Sequence, residues 1–379
     1  MSLNIQDALA PKQHTWSLAI ATHNRPGVLR RCLTLAAEQT RPPVDAAICD
    51  SSVNPQPVRE VVDDMQRRYP AIRWHYVRAD PGIGHQRNLA WQHTAGDVAF
   101  LIDDDSLMYP DCAEHVMAVY DADTQGRVAS VMAVLHPAAP DQADESHEPD
   151  SIDEPYNPDA GPSLTRRVVR GVKRLVDMDA PFPPYDGHFH EHPMPDALQP
   201  LGLGTARLVH GCRMTARRSV LEREPFSNQV RRAGGMELDA SYRWSRHGLL
   251  TTCFQARLHH VFSSESRDRL HVRTTASAIN TLAAAAFYAP DRRRAHGIVA
   301  RYFRWKTLVC LLHDLKKRDH RLPRARGAMT GWAETAAPFR LPRERVWAWH
   351  RRAMQRHGVK GPQVVRKPGN PAALAAPAG

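Results

Sequence analysis

Through its first 135 residues the chain alternates short apolar runs with segments of helical periodicity, and few folds accept that order. WSLAIAT (Trp16–Thr22) predicts a buried strand, and 27–38 a helix opened by Pro26. DAAICD (Asp45–Asp50) is a second strand, followed by a helix over 58–68. IRWHYV (72–77) is a third, with a helix from about 85 to 93. DVAFLI (97–102) is a fourth, strongly apolar strand that runs straight into three aspartates. A helix near 113–120 and a strand over Val128–Leu135 close this half. Strands and helices in this order imply an α/β fold, with a mostly parallel sheet covered by helices on both faces. Such sheets bind ligands beyond the carboxyl ends of their strands, which is where Asp50 and Asp103 fall.

The pattern breaks over 136–200, where an acidic, proline-rich stretch predicts a solvated loop. Inside it Leu164, Val168, Val172, Leu175 and Val176 recur at helical spacing, with five basic residues between Arg166 and Arg174. That is a basic amphipathic helix, suited to an anionic membrane surface or a docking partner; packing on the protein's own core is the alternative. A strand-like run over 206–216 resumes the fold, and 237–247 predicts a helix stopped by Gly248. The expected divisions are 1–135, the insertion 136–200, a second half of the catalytic domain over 201–267, a helical region over 268–355, and a disordered tail over 356–379.

Bulk properties narrow the partners. Lys and Arg number 51 against 40 acidic residues, and the resulting +11 suits nucleotide phosphates, acidic headgroups or nucleic acid. Aromatics are only 7% and no known nucleic-acid module is present, so nucleic acid is not an expected partner. Six scattered cysteines without a CxxC pair predict reduced, buried thiols rather than zinc or disulfides. MSLNIQDALAPKQ has no apolar stretch behind a basic start, and no run of about 18 apolar residues follows. A cytoplasmic protein is therefore expected, with peripheral membrane contact as an option.

FLIDDDS carries the strongest chemical signal. Consecutive carboxylates at the end of a buried strand are costly unless a cation compensates them, and an oxygen-rich set suits Mn2+ or Mg2+. Alternate residues share a face in extended chain, so Asp103 and Asp105 are the pair expected to face a nucleotide; a solvated acidic turn is the plainer alternative. Asp50, at a strand end, can accept the imide N–H of uracil or thymine, or instead cap a helix. Arg87 follows a glycine-rich turn at a helix start, a place suited to phosphate. His260 offers nitrogen to a metal, with its neighbour His259 as the rival, and in a strand the two point opposite ways. The run His188, His190 and His192 has ligand-like spacing but reads better as a loop or lid.

Six ordered motifs together give the chain a resemblance to the family 2 glycosyltransferases of GT-A fold, over roughly 16–280. THNRP resembles that family's first loop, which implies donor contacts for Thr22, Asn24 and Arg25. Asp50 with Ser51 and Ser52 is similar to its base-contacting aspartate, and PGIGHQRN to its glycine-rich turn, with Gly84, Arg87 and Asn88 toward the donor. Asp103, Asp104 and Asp105 stand at its DxD, HGCRMTARR resembles the acceptor-side strand with paired arginines, and ARLHH the strand whose histidine completes a metal shell. GGMELDASYRWSRHG resembles the acidic motif that supplies the catalytic base, but Met236 and Glu237 stand where a Glu-Asp pair is usual. Glu237 is the expected base. Asp239 is the rival, although four residues before Arg243 it is spaced for an ion pair.

The resemblance implies inverting transfer from a nucleoside-diphosphate sugar, UDP favoured, to a glycan, lipid-linked or small-molecule hydroxyl. The competing readings are a sugar-nucleotide pyrophosphorylase, for which ATHNRPG is a poor phosphate loop, and a non-catalytic nucleotide-sugar- or nucleic-acid-binding protein.

Overall fold

The computed structural model describes residues 13–140, 190–230, 235–261 and 269–359. The amphipathic helix expected at 164–176, His188 and the tail beyond 359 lie outside these residues.

The first half forms β1 (Trp16–Thr22), α1 (Pro26–Ala37), β2 (Asp45–Asp50), α2 (Gln56–Arg68), β3 (Arg73–Arg78), α3 (Ile83–Gln92), β4 (Val98–Phe100), β5 (Ser106–Met108), α4 (Cys112–Ala122) and β6 (Val128–Leu135). The second half adds β7 (Leu203–Thr205), β8 (Thr215–Arg217), α5 (Arg218–Arg223), α6 (Met236–Trp244) and β9 (Leu249–His260). A helical layer follows: α7 (Leu270–Tyr288), α8 (Arg292–Lys316), α9 (Pro323–Glu334), α10 (Ala336–Phe339) and α11 (Arg343–Arg356).

One sheet has the order β3-β2-β1-β4-β8, with only β8 antiparallel to its neighbour. All seven residues of β1 are buried, because it lies between β2 and β4 with both faces covered. Alternation divides its side chains. Trp16, Leu18 and Ile20 pack with α1, α2 and α4, while Ala19 joins Ala47, Cys49 and Ala99 under Trp91, Phe226 and Trp244. The small residues on that second face let α3 approach the sheet closely. The strand register sets Thr22, Asp50 and Arg78 in one row at the carboxyl edge.

A second sheet, β5-β9-β6 with β7 on β9, stands on the twelve-residue strand β9. The strand expected over 206–216 is realised only as Thr215–Arg217. Upstream, the chain spends its hydrogen bonds elsewhere: Val209 N donates to Ser241 Oγ at 2.9 Å and Arg213 N to His210 O at 3.0 Å. Gly248 ends the turn after α6, where an added Cβ would lie 2.3 Å from Arg127 O. All six cysteines are free, five of them buried.

In the helical layer, the alanine-rich face of α7 packs against α8 and α11. Gly327 and Gly331 seat α9 closely, since a Cβ there would meet Thr274 at 2.6 Å and Phe303 at 2.5 Å respectively. Among the described residues no helix is long and apolar enough to cross a membrane.

Buried His350 pairs through Nε2 with Asn280 Oδ1 at 2.8 Å, and burial pushes its imidazole down to about 4, with Arg351 adding to the shift. The unfolded chain takes up a proton near pH 6.5 that the native state refuses until near 4. This residue's contribution is intact above the unfolded value and is lost as pH falls toward the folded one, a loss of roughly 3 kcal/mol. Urea unfolding at pH 7 and 4.5 is expected to show that fall, and His350→Gln to flatten it; an equal pH dependence in both proteins would refute the assignment.

Candidate active site

The three aspartates follow β4 and turn the chain into β5, with Ser106 N donating to Asp103 O at 3.1 Å to close the turn. Their surroundings separate them. Asp104 points into the protein, where Oδ2 accepts from Thr22 Oγ1 at 2.7 Å and Oδ1 from Arg25 Nη1 at 2.9 Å. Burial pushes its carboxyl up to about 7, with Arg25 pulling it down and Asp105 and Asp103 pushing the same way as burial. Asp103 is the most accessible of the three, its side chain 34% exposed.

The register of β5 on β9 pairs Ser106 with His260, and Val261 N donates to Asp105 O at 3.0 Å. His260 Nε2 thereby comes to 2.9 Å from Asp105 Oδ1 and 3.8 Å from Asp103 Oδ2. Asp103, Asp105 and His260 each offer one atom in a set that spans no more than 4.8 Å. Two carboxylates and an imidazole suit Mn2+ and fit Mg2+ less well, because of the nitrogen. His259 points the other way, its Nδ1 3.0 Å from His136 O.

Across from this set, Arg87 Nη2 donates to Asp103 Oδ1 at 2.6 Å and to Gly211 O at 2.9 Å. Its Nε and Nη1 are buried and have no hydrogen-bond partner among the described residues. Gly211 separates Arg87 from Glu237: a Cβ there would lie 2.7 Å from Glu237 Oε1 and 2.8 Å from Arg87 Nη2. Burial raises the Glu237 carboxyl, the Arg87 cation lowers it and Asp103 raises it further. Asp239 lies elsewhere. It is buried, and its Oδ2 accepts from Arg243 Nε at 3.1 Å and Nη2 at 2.8 Å, while Arg243 also holds Glu224.

Several residues expected at the donor are engaged in holding the scaffold. Asn88 binds the turn at 226–228, donating to Phe226 O at 2.8 Å and accepting from Phe226 N at 3.0 Å. A Cβ on Gly84 would meet Ser227 O at 2.8 Å. Asp50 is fully buried and accepts from Ser52 N, Tyr76 Oη and Arg78 Nη1 at 2.7 to 2.9 Å, so a base reaching it would displace one of these donors. Asn24, at φ 56°, ties the first loop to the second through Ser52 Oγ and Val53 N. The paired arginines of HGCRMTARR do not reach the site: Arg217 binds Asp123, and Arg218 the carbonyls of Thr94 and Gly96. Gly211 and Gln86 were not singled out in the sequence. Gln86 Nε2 bridges Thr22 O and Cys49 O at 3.0 Å each, joining the ends of β1 and β2. His192 binds Ser245 O at 2.6 Å, and among the described residues the only set of three metal-type side chains is the one at Asp103.

The site thus places a candidate donor set for a divalent cation at the carboxyl edge of a mostly parallel sheet. Residues 17–158 match the family model for glycosyl transferase family 2. No curated protein was found to match the chain. Among solved structures, GalNAc-T7 with UDP, GalNAc and Mn2+ is similar at 12% identity and TM-score 0.51, covering 78% of this chain and 51% of that one. A mannosyltransferase from Pyrobaculum calidifontis, in complex with GDP-Man and Mn2+, is similar at 13% identity and TM-score 0.46, covering 93% and 78%. The protein thus spans about half the length of the first of these two. Over 17–158 the chain thus looks like a family 2 glycosyl transferase domain, and its α/β fold is similar to that of GalNAc-T7.

If Asp105 and His260 are metal ligands, Asp105→Asn and His260→Ala will each weaken Mn2+ binding about 10-fold or more in calorimetry. His259→Ala, whose ring faces His136, will leave it unchanged. Equal effects of the two histidine variants would dissolve the distinction.

Proposed function

We propose that the protein transfers a sugar from a nucleoside-diphosphate sugar, UDP favoured, to an acceptor hydroxyl with inversion at the anomeric carbon. The observation that carries this reading is the convergence of Asp103, Asp105 and His260 with Arg87 and Glu237 around Gly211. When bound, Mn2+ or Mg2+ would be held by Asp103, Asp105 and His260 and would stabilise the leaving diphosphate as a Lewis acid. Arg87 positions Asp103 and gives the site fixed positive charge. Glu237 takes the proton of the acceptor hydroxyl as its oxygen attacks the anomeric carbon, while the glycosidic bond to phosphate breaks. Inversion needs only this one carboxylate base. Burial favours Glu237 for the task by raising its proton affinity, and the neighbouring Arg87 keeps the ionised form accessible.

The nucleobase would lie beside the carboxyl ends of β1 to β3, where Asp50, Tyr76 and Arg78 form a polar rim. The acceptor is a glycan, a lipid-linked sugar or a small molecule presenting a hydroxyl toward Glu237. Six unpaired thiols accord with a cytoplasmic setting. A thermal-shift panel of UDP, GDP and their sugars with Mn2+ tests the donor: UDP ligands should raise the melting temperature most, and a larger shift with GDP would reassign the base.

Glu237→Gln is expected to lower kcat by about 100-fold or more with donor affinity unchanged. The wild-type kcat should fall on the acid side above the ordinary carboxylate range, because burial raises the Glu237 carboxyl and its base form is lost as pH drops through that raised value. Asp239→Asn instead leaves Arg243 buried without its main partner, and should cost about 3–5 kcal/mol of stability. Turnover that survives Glu237→Gln in a folded protein would remove Glu237 from the mechanism.

A further inference from the structure

Among the described residues, six large hydrophobic side chains are exposed, and five of them lie on the hairpin of α8 and α9. Leu308, Leu312 and Leu315 are 46%, 58% and 52% exposed, at spacings of four and three that form one stripe along α8. At about 100° per residue this stripe lies nearly opposite the face that buries Phe303, Cys310 and Asp314. Met329 and Trp332, one turn apart on α9, are 51% and 48% exposed. A helix that is apolar on two faces is built to be covered on both.

Charge indicates what covers the outer face. Residues 292–334 hold twelve Lys and Arg against three acidic residues, which is nine of the chain's formal +11. Of those acids, Asp314 is buried on Arg324. Lys316, Lys317, Arg318 and Arg321 follow Leu315 into the interhelical turn, and Arg326 precedes Met329; all five are exposed. A second copy of the chain would set this positive hairpin against itself, which like-charge repulsion opposes. Nucleic acid would leave the leucine stripe in water. Aliphatic side chains and a tryptophan bordered by lysine and arginine are the composition of a surface that enters a headgroup layer, with the cations on anionic lipid.

We propose that the outer face of the α8–α9 hairpin docks on an anionic bilayer, through Leu308, Leu312, Leu315, Met329 and Trp332 and the basic turn at 316–321. This surface is distinct from the helix expected at 164–176, and it requires no assumption about the sugar donor.

The test is co-sedimentation of the full chain with vesicles of phosphatidylcholine alone and of phosphatidylcholine mixed with phosphatidylglycerol. Binding is expected to the mixed vesicles, to be at least about 10-fold weaker to the neutral ones, and to fall as salt rises. Leu312→Glu should abolish it. Lys316→Gln combined with Arg321→Gln should weaken it by about five-fold per residue, with the fold checked by circular dichroism. Equal binding to neutral vesicles, no binding to either, or binding that persists in the folded charge variant and in Leu312→Glu would overturn the proposal. So would a wild-type dimer in sedimentation velocity that Leu312→Glu dissociates, which would assign the patch to self-association.

Discussion

Mutual repulsion among Asp103, Asp104 and Asp105 is the constraint around which the catalytic half is organised. Unit charges about 4 Å apart interact by roughly 4 kcal/mol at the effective dielectric near a protein surface, so three adjacent carboxylates need cations. Two guanidinium groups and an imidazole from different parts of the chain meet them: Arg25 at the entry to α1, Arg87 inside α3 and His260 at the end of β9. Satisfying the aspartates therefore fixes the first loop, a helix of the first half and the last strand of the second sheet with respect to one another. The two sheets also meet away from the aspartates, where Thr215 of β8 bonds Ser130 and Val131 of β6.

The same constraint explains the different roles of three identical residues. The turn directs Asp104 onto Thr22 and Arg25, and Arg25 Nη1 also reaches Asp105 Oδ2 at 3.3 Å. Asp103 and Asp105 remain on the side that His260 approaches. Asp104 acts as an anchor for the first loop.

Much of this was legible in the sequence. β1, β2 and β6 match their expected bounds because strands covered on both faces are continuous apolar runs. The pairing of Asp239 with Arg243 followed from helical spacing, although its burial did not. Other features depend on partners far away in the chain. Which of His259 and His260 meets the acids is set by the register of β5 on β9, and strand alternation could say only that one does. Asn88 and Gly84 read as donor residues because their motif lies beside a glycine-rich turn, yet the segment that occupies them begins 138 residues later at Phe226. The run that reads as a strand over 206–216 forms ladder only at its end, because Val209 N and Arg213 N bond Ser241 Oγ and His210 O instead. β5 and β7, at three residues each, are too short for any periodicity to register.

The link between Asp105 and His260 spans 155 positions. A chain emerging from its N-terminus can form β1 to β4 with their helices by short crossovers, each of them local in sequence. Asp105 then lacks its imidazole partner until β9 closes a long loop onto β5. Sequence distance thus separates the first four strands, which are close together in the chain, from the imidazole, which stands on the last strand. Competence for binding at the acid cluster is a property of the finished domain, and an unfinished chain displays the carboxylates without the means to use them.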